Sequence, residues 1–106
     1  VVARGDIWVV NLDPTQGSEI RKSRPCVVVS PPEMLDHLRT VLVAPMTSKG
    51  QPAPFRIPIT HDGQKGLVLL DQVRAVDKTR LVRKSGRTSS STLVNILATL
   101  QTIFSP

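Results

Sequence analysis

The sequence predicts a mainly β protein with some α: a small, strongly bent sheet or barrel, with short helices and a C-terminal helix covering it. Three observations carry this expectation. Short runs rich in β-branched residues are separated by turns rich in proline and glycine. The apolar residues take up a helical spacing only in the C-terminal segment. The chain has 106 residues, enough for a single domain (1–106) and too few for two.

Residues 7–12 (Ile-Trp-Val-Val-Asn-Leu) form the first β-rich run, and Asp13-Pro14-Thr15-Gln16-Gly17-Ser18 ends it with turn chemistry. Residues 15–23 read as a loop with a basic end. Residues 25–30 are a continuous β-branched run, suited to a strand buried on both faces, and Pro31-Pro32 stops it. Residues 33–39 predict one or two helical turns, with Pro32 accommodated at the start. Residues 41–45 predict a third strand, and residues 46–54, with Gly50, Pro52 and Pro54, a loop. Residues 55–59 alternate, and Pro58 assigns them to an edge or a strand end. His61-Asp62-Gly63 is a turn signal. Residues 66–70 predict another buried strand and residues 72–77 a half-buried one. Residues 78–88 are polar and basic, with a short strand at Leu81-Val82. Leu93, Ile96, Leu97, Leu100, Ile103 and Phe104 then fall on one helix face, with Ser89, Ser90, Ser91 or Thr92 placed to cap it. No internal repeat or linker divides the chain.

Composition narrows the function. No apolar run approaches the roughly 20 residues that cross a bilayer, so no membrane role is expected. Residues 1–6 show no export signal. The single cysteine, Cys26, has no partner for an internal disulfide, and zinc spacings are absent. A reducing cytoplasm and no metal or other cofactor are the expectations. Fourteen Lys and Arg against eight Asp and Glu give a net charge of +6. Such an excess suits a polyanionic partner, whether RNA, DNA or an anionic surface, or serves solubility alone. With only Trp8, Phe55 and Phe104 aromatic, a sheet that stacks bases on several rings is not expected.

Three stretches can carry chemistry. Arg21, Lys22 and Arg24 crowd the junction into the valine strand, where Pro25 holds Arg24 extended. An arginine rooted there can present its fork to a phosphate, or it can pair with Glu19 or Asp13 in a solvated loop. Thr47 and Ser48 stand with Lys49 at the end of the third strand. Thr47 can donate to a phosphoryl oxygen, or both hydroxyls can satisfy turn backbone. Arg74, Lys78, Arg80, Arg83, Lys84 and Arg87 include one acid, Asp77, among them, and either follow a nucleic-acid backbone or form a polar face. His37 and His61 read as ordinary surface residues, and Cys26 as a small core residue.

The order of these segments resembles the MazF/PemK family of toxin–antitoxin endoribonucleases. The resemblance rests on Arg4-Gly5-Asp6-Ile7-Trp8, Asp13-Pro14 with Gly17-Ser18-Glu19, Arg24-Pro25 with its valine run, Val43-Ala44-Pro45-Met46-Thr47, and Gly66-Leu67-Val68-Leu69-Leu70-Asp71-Gln72-Val73-Arg74. It implies an SH3-like barrel of the kind shared with CcdB-type toxins, and a homodimer. It also implies sequence-specific cleavage of single-stranded RNA, mRNA above all, and inhibition by an acidic cognate antitoxin that occupies the RNA groove.

Carried over residue by residue, the resemblance makes Arg24 and Thr47 catalytic and Glu19 a supporting catalytic residue. The RNA itself supplies the nucleophile, its 2′-hydroxyl, in a scheme that needs no metal. Arg24 then clamps the phosphate or protonates the leaving oxygen, Thr47 binds a non-bridging oxygen, and Glu19 orients Arg24 or assists proton transfer. Ser18, Lys22, Lys49, Arg56, Asp71, Gln72 and Arg74 are the RNA-binding candidates. One plasmid-borne branch uses the aspartate matching Asp71, together with a histidine where this chain has Ser18 and an arginine where it has Leu69, so its proton-transfer scheme does not carry over unchanged. The loop also departs at Ile20–Lys22, where many relatives carry glutamine and glycine. A CcdB-like gyrase poison and a non-catalytic RNA-binding barrel are the alternatives.

Overall fold

A computed structural model describes all residues, Val1–Pro106. Seven strands follow in chain order: β1 (Asp6–Asn11), β2 (Ser23–Val28), β3 (Thr40–Thr47), β4 (Arg56–His61), β5 (Gln64–Leu69), β6 (Arg74–Asp77) and β7 (Leu81–Arg87). The helix α1 (Pro32–Leu35) is a single turn between β2 and β3, and α2 (Ser90–Ile103) closes the chain. Short 3-10 turns at Leu70–Gln72 and Lys78–Arg80 join β5 to β6 and β6 to β7.

The strands pair in the order β4-β5-β3-β2-β1-β7, all antiparallel, with β6 against β3. One edge of β3 serves two neighbours. Thr40 to Val43 pair with β6, and Met46 and Thr47 pair with β5. The 3-10 turn between those neighbours lets the sheet curl there into a half-barrel. Pro58 lies in β4, the strand at one end of the order, where a missing N–H leaves no ladder broken on its outer side. Asp62 and Gly63 form the two-residue β4–β5 turn, with φ of 51° and 74°, the left-handed geometry a tight hairpin demands.

Alternation along β2 builds the interior. Val27 and Val29 belong to one apolar cluster with Ile7, Ala44, Met46, Val68 and Ile96, while Cys26 and Val28 belong to a second with Val10, Leu12, Val41, Val43 and Val76. The valine run is therefore buried on both faces, as its composition predicts. Ser89 caps α2, its hydroxyl accepting the Thr92 N–H at 3.2 Å. Of the helix stripe, Ile96 is fully buried, whereas Ile103 and Phe104 remain 42% and 73% exposed. The strand expected at Leu81-Val82 instead runs to Arg87. Its polar residues hid it, because they face solvent, pair with Asp6 or, for Ser85, hydrogen-bond His61. No helix is long and apolar enough to cross a membrane.

Candidate active site

The β2–β3 register places the first two candidates. Cys26 pairs with Pro45, Val27 with Ala44 and Val28 with Val43. Continued toward the start of β2, this register sets Arg24 opposite Thr47, the last residue of β3. Paired residues point to the same face of a sheet, so both side chains emerge beyond the Cys26–Val28 face. They line a cleft of about 170 Å³ together with Ser48, His61, Gln64 and Lys65.

Each is held without being used up. Arg24 Nε donates to the Arg21 carbonyl at 3.0 Å, and its terminal nitrogens have no protein partner. The Thr47 hydroxyl accepts the Lys49 N–H at 3.2 Å, which leaves its own hydrogen to donate outward. Thr47 thus serves the turn and remains available to a phosphoryl oxygen. Gly66 of β5 passes close behind: a Cβ there would lie 2.7 Å from the Thr47 carbonyl oxygen.

A second cleft of about 520 Å³ is lined by Ser18, Glu19, Arg56, Asp71, Gln72 and Arg74, with Leu12, Ile20, Pro45 and Val73 at its apolar parts. Pro45 and Thr47 are two residues apart on one strand, roughly 7 Å, so the two clefts adjoin. Six sequence candidates therefore gather in the larger cleft and Arg24 and Thr47 in the smaller, while Lys22 and Lys49 line neither.

The larger cleft is tightly ordered. Arg56 forks onto Asp71, with Nε to Oδ1 at 3.3 Å and Nη2 to Oδ2 at 3.1 Å. Gln72 Oε1 accepts the Ile20 N–H at 2.7 Å, pinning the 15–23 loop and leaving the Gln72 amide hydrogens to donate. Arg74 Nη1 donates to the Leu12 carbonyl at 3.2 Å. Lys22 adopts φ 70° in that loop, the left-handed conformation that glycine takes freely. Its N–H donates to Asp13 Oδ1 at 3.1 Å, and its carbonyl accepts the Leu12 N–H.

Three expectations need correction. Glu19 does not orient Arg24: its carboxylate accepts the Gln16 N–H at 2.6 Å and closes its own loop, while the Arg21 carbonyl tethers the arginine. The basic run from Arg74 to Arg87 is not one continuous face. Lys78 donates to the Leu35 carbonyl, Arg80 to the Asn11 and Asp13 carbonyls, and Lys84 and Arg87 pair with Asp6, leaving Arg83 exposed on β7 and Arg74 in the cleft. His61 is not an ordinary surface residue. Its side chain is 13% exposed, lines the Arg24–Thr47 cleft and hydrogen-bonds Ser85 of β7 at 2.8 Å. Sequence could not reveal this, because its neighbours come from β2, β3 and β7.

Cys26 is buried beneath the same face. Burial pushes its thiol up to about 12, against the opposing pull of the Arg74 and Arg24 guanidiniums. The thiol stays neutral and is no nucleophile. What the clefts present is a guanidinium and a hydroxyl donor lining one recess, groups able to bind an anionic oxygen, beside a groove lined by hydrogen-bond donors and acceptors.

Residues 3–104 match the family described as PemK-like, MazF-like toxin of type II toxin–antitoxin system. Endoribonuclease PemK of Escherichia coli is 35% identical over a 106-residue alignment covering 94% of this chain and 80% of that protein. Endoribonuclease toxin MazF of Escherichia coli strain K12 is 31% identical over 100 residues, covering 93% and 90% respectively. Among solved structures, MazF from Deinococcus radiodurans superposes with a TM-score of 0.85 at 25% identity, covering 97% of this chain and 96% of that one. An endoribonuclease in complex with its cognate antitoxin, from a mycobacterial species, superposes with a TM-score of 0.81 at 19% identity, covering 96% and 93%.

Proposed function

The chain belongs to the PemK-like, MazF-like toxin family of type II toxin–antitoxin systems, and from that membership we propose that it is an endoribonuclease toxin that cuts single-stranded RNA at preferred sequences without a metal. The observation that carries this reading is the shared cleft of Arg24 and Thr47. An RNA phosphodiester already holds its nucleophile. The protein must align the 2′-hydroxyl, neutralise the charge that builds on phosphorus and manage two protons. Arg24 clamps the phosphate, and Thr47 donates to a non-bridging oxygen. Products carry a 2′,3′-cyclic phosphate and a 5′-hydroxyl.

The adjoining cleft is proposed to take splayed bases, because A-form duplex hides its base edges. Arg74 and Gln72 supply donors there. Asp71 holds Arg56 in place and accepts from base amino groups. Glu19 shapes the loop on the rim. Lys22 and Lys49, outside both clefts, contribute to the field that draws RNA in.

The natural partner is an acidic antitoxin whose chain competes with RNA for this field, as the antitoxin complexes of structural neighbours suggest. A homodimer is also proposed, with the uncovered end of the α2 stripe as one source of contact; light scattering should return twice the 11.6 kDa chain mass. The cytoplasm, where RNA and antitoxin meet, is the proposed site of action. A gyrase poison and a passive RNA binder are not favoured, since the curated relatives are named endoribonucleases.

The test is cleavage of single-stranded RNA in EDTA by wild type, Arg24→Ala and Thr47→Ala. Loss of one preorganised donor should slow cleavage about 10²-fold or more. Undiminished cutting by both variants rejects the assignment.

A further inference from the structure

We propose that His61 is the general base that takes the proton from the attacking 2′-hydroxyl. The proposal rests on the ribonuclease reading above and supplies the proton acceptor which that reading lacks. Of the other groups in the small cleft, Arg24 and Lys65 are cations and Thr47, Ser48 and Gln64 are neutral donors or acceptors of little basicity. Of the nearby carboxylates, Glu19 and Asp71 line the other cleft and are engaged there, by the Gln16 N–H and by the Arg56 fork, and Asp62, beside the His61 ring, lines neither cleft. His61 is therefore the side chain lining the Arg24–Thr47 cleft that carries a ring nitrogen able to act as a proton acceptor.

Its surroundings fix the ring. His61 Nε2 lies 2.8 Å from Ser85 Oγ and 3.5 Å from Asp62 Oδ2. Two oxygens, one of them a carboxylate's, favour a hydrogen on Nε2 and place the lone pair on Nδ1. Gly86 of β7 passes beside that edge of the ring, where a Cβ would lie 3.1 Å from Cε1 and 3.7 Å from Nδ1, so any larger residue there would crowd it. The charged groups around the ring are Asp62 from the turn, Lys65 from β5 and Arg24 from β2. From β7 only the uncharged Ser85 and Gly86 face it, because Lys84 and Arg87 pair with Asp6.

In the step proposed, Nδ1 takes the 2′-hydroxyl proton as the O2′–P bond forms and the P–O5′ bond breaks. The departing O5′ takes a proton from water, and the imidazolium returns its proton to solvent, so charge and protons balance. Asp62 stabilises the transient imidazolium.

The experiment compares wild type with His61→Gln, whose amide can still donate to Ser85. Initial rates are measured on a short single-stranded RNA in EDTA from pH 5 to 8. Binding is measured with the same RNA carrying 2′-deoxyribose at the cleavage site. The expected result is a fall in kcat of about 10²-fold or more for His61→Gln, with binding of the deoxy analogue unchanged. Wild-type kcat should rise with pH to a plateau, and the variant should lose that limb. A variant within threefold of wild type and with the same profile overturns the proposal. A wild-type kcat that is flat from pH 5 to 8 also overturns it, whether or not the variant folds. Wild-type protein that leaves RNA intact would instead defeat the ribonuclease reading itself.

Discussion

Lys22 stands in a left-handed conformation, φ 70°, where its Cβ crowds the following carbonyl. The Asp13 carboxylate, accepting its N–H, and the Leu12 N–H, donating to its carbonyl, hold it there. Lys22→Gly should therefore raise stability by about 1 kcal/mol, read by thermal or urea unfolding. Gly66 is the opposite case. A methyl group 2.7 Å from the Thr47 carbonyl oxygen cannot be accommodated unless β3 or β5 shifts. Gly66→Ala should cost about 1–3 kcal/mol and slow RNA cleavage by displacing Thr47. At this scale, the positions of Arg24 at the start of a strand and of Thr47 at the end of one are legible because their signals are local, a proline and a turn, while their roles come from the resemblance alone. That of His61 is not, because the partner that orders its ring, Ser85, is 24 residues further along the chain.

Asp6, at the start of β1, ties that strand to β7 and to the N-terminal turn. Fully buried, it accepts the Ala3 N–H at 2.8 Å and Arg87 Nη1 at 3.2 Å, with Lys84 Nζ 3.5 Å away. Asp6→Ala leaves the Ala3 N–H without its acceptor and removes the tie to the half-exposed Lys84 and Arg87, and should destabilise the protein by about 1–3 kcal/mol in denaturant titration. Asp77 plays a smaller part between β6 and β7. Hydrogen bonds from the Thr79 backbone and hydroxyl hold its carboxyl below the ordinary 3.8, joined by the nearby Arg39 and Arg80 guanidiniums. A depressed value stabilises the fold above 3.8 and loses that contribution as pH falls below it. Asp77→Ala should melt below wild type at neutral pH, and the two should converge in acid. Apolar strands such as β2 announce themselves in sequence because burial on both faces demands an unbroken β-branched run. β7 does not, since its cations serve Asp6 and solvent, and those partners lie beyond any local window.

Across the whole molecule, the net charge of +6 is less available to RNA than the sequence alone implies. Arg56, Lys78, Arg80, Lys84 and Arg87 are engaged by protein acceptors. Binding to single-stranded RNA should still weaken about tenfold or more between roughly 50 and 200 mM salt, because several phosphates are contacted together. A flat titration by fluorescence anisotropy would count against a charged groove. The curl of the sheet brings the β2 start, the β3 end and the β4–β5 hairpin to one place, and it sets the small cleft beside the larger one. The most direct measurement is therefore a crystal structure with an oligoribonucleotide carrying 2′-deoxyribose at the cleavage site. The scissile phosphate should sit between the Arg24 guanidinium and the Thr47 hydroxyl, within about 3 Å of each, with flanking bases in the cleft of Gln72 and Arg74. A phosphate held elsewhere, with those two side chains still facing solvent, would contradict the account.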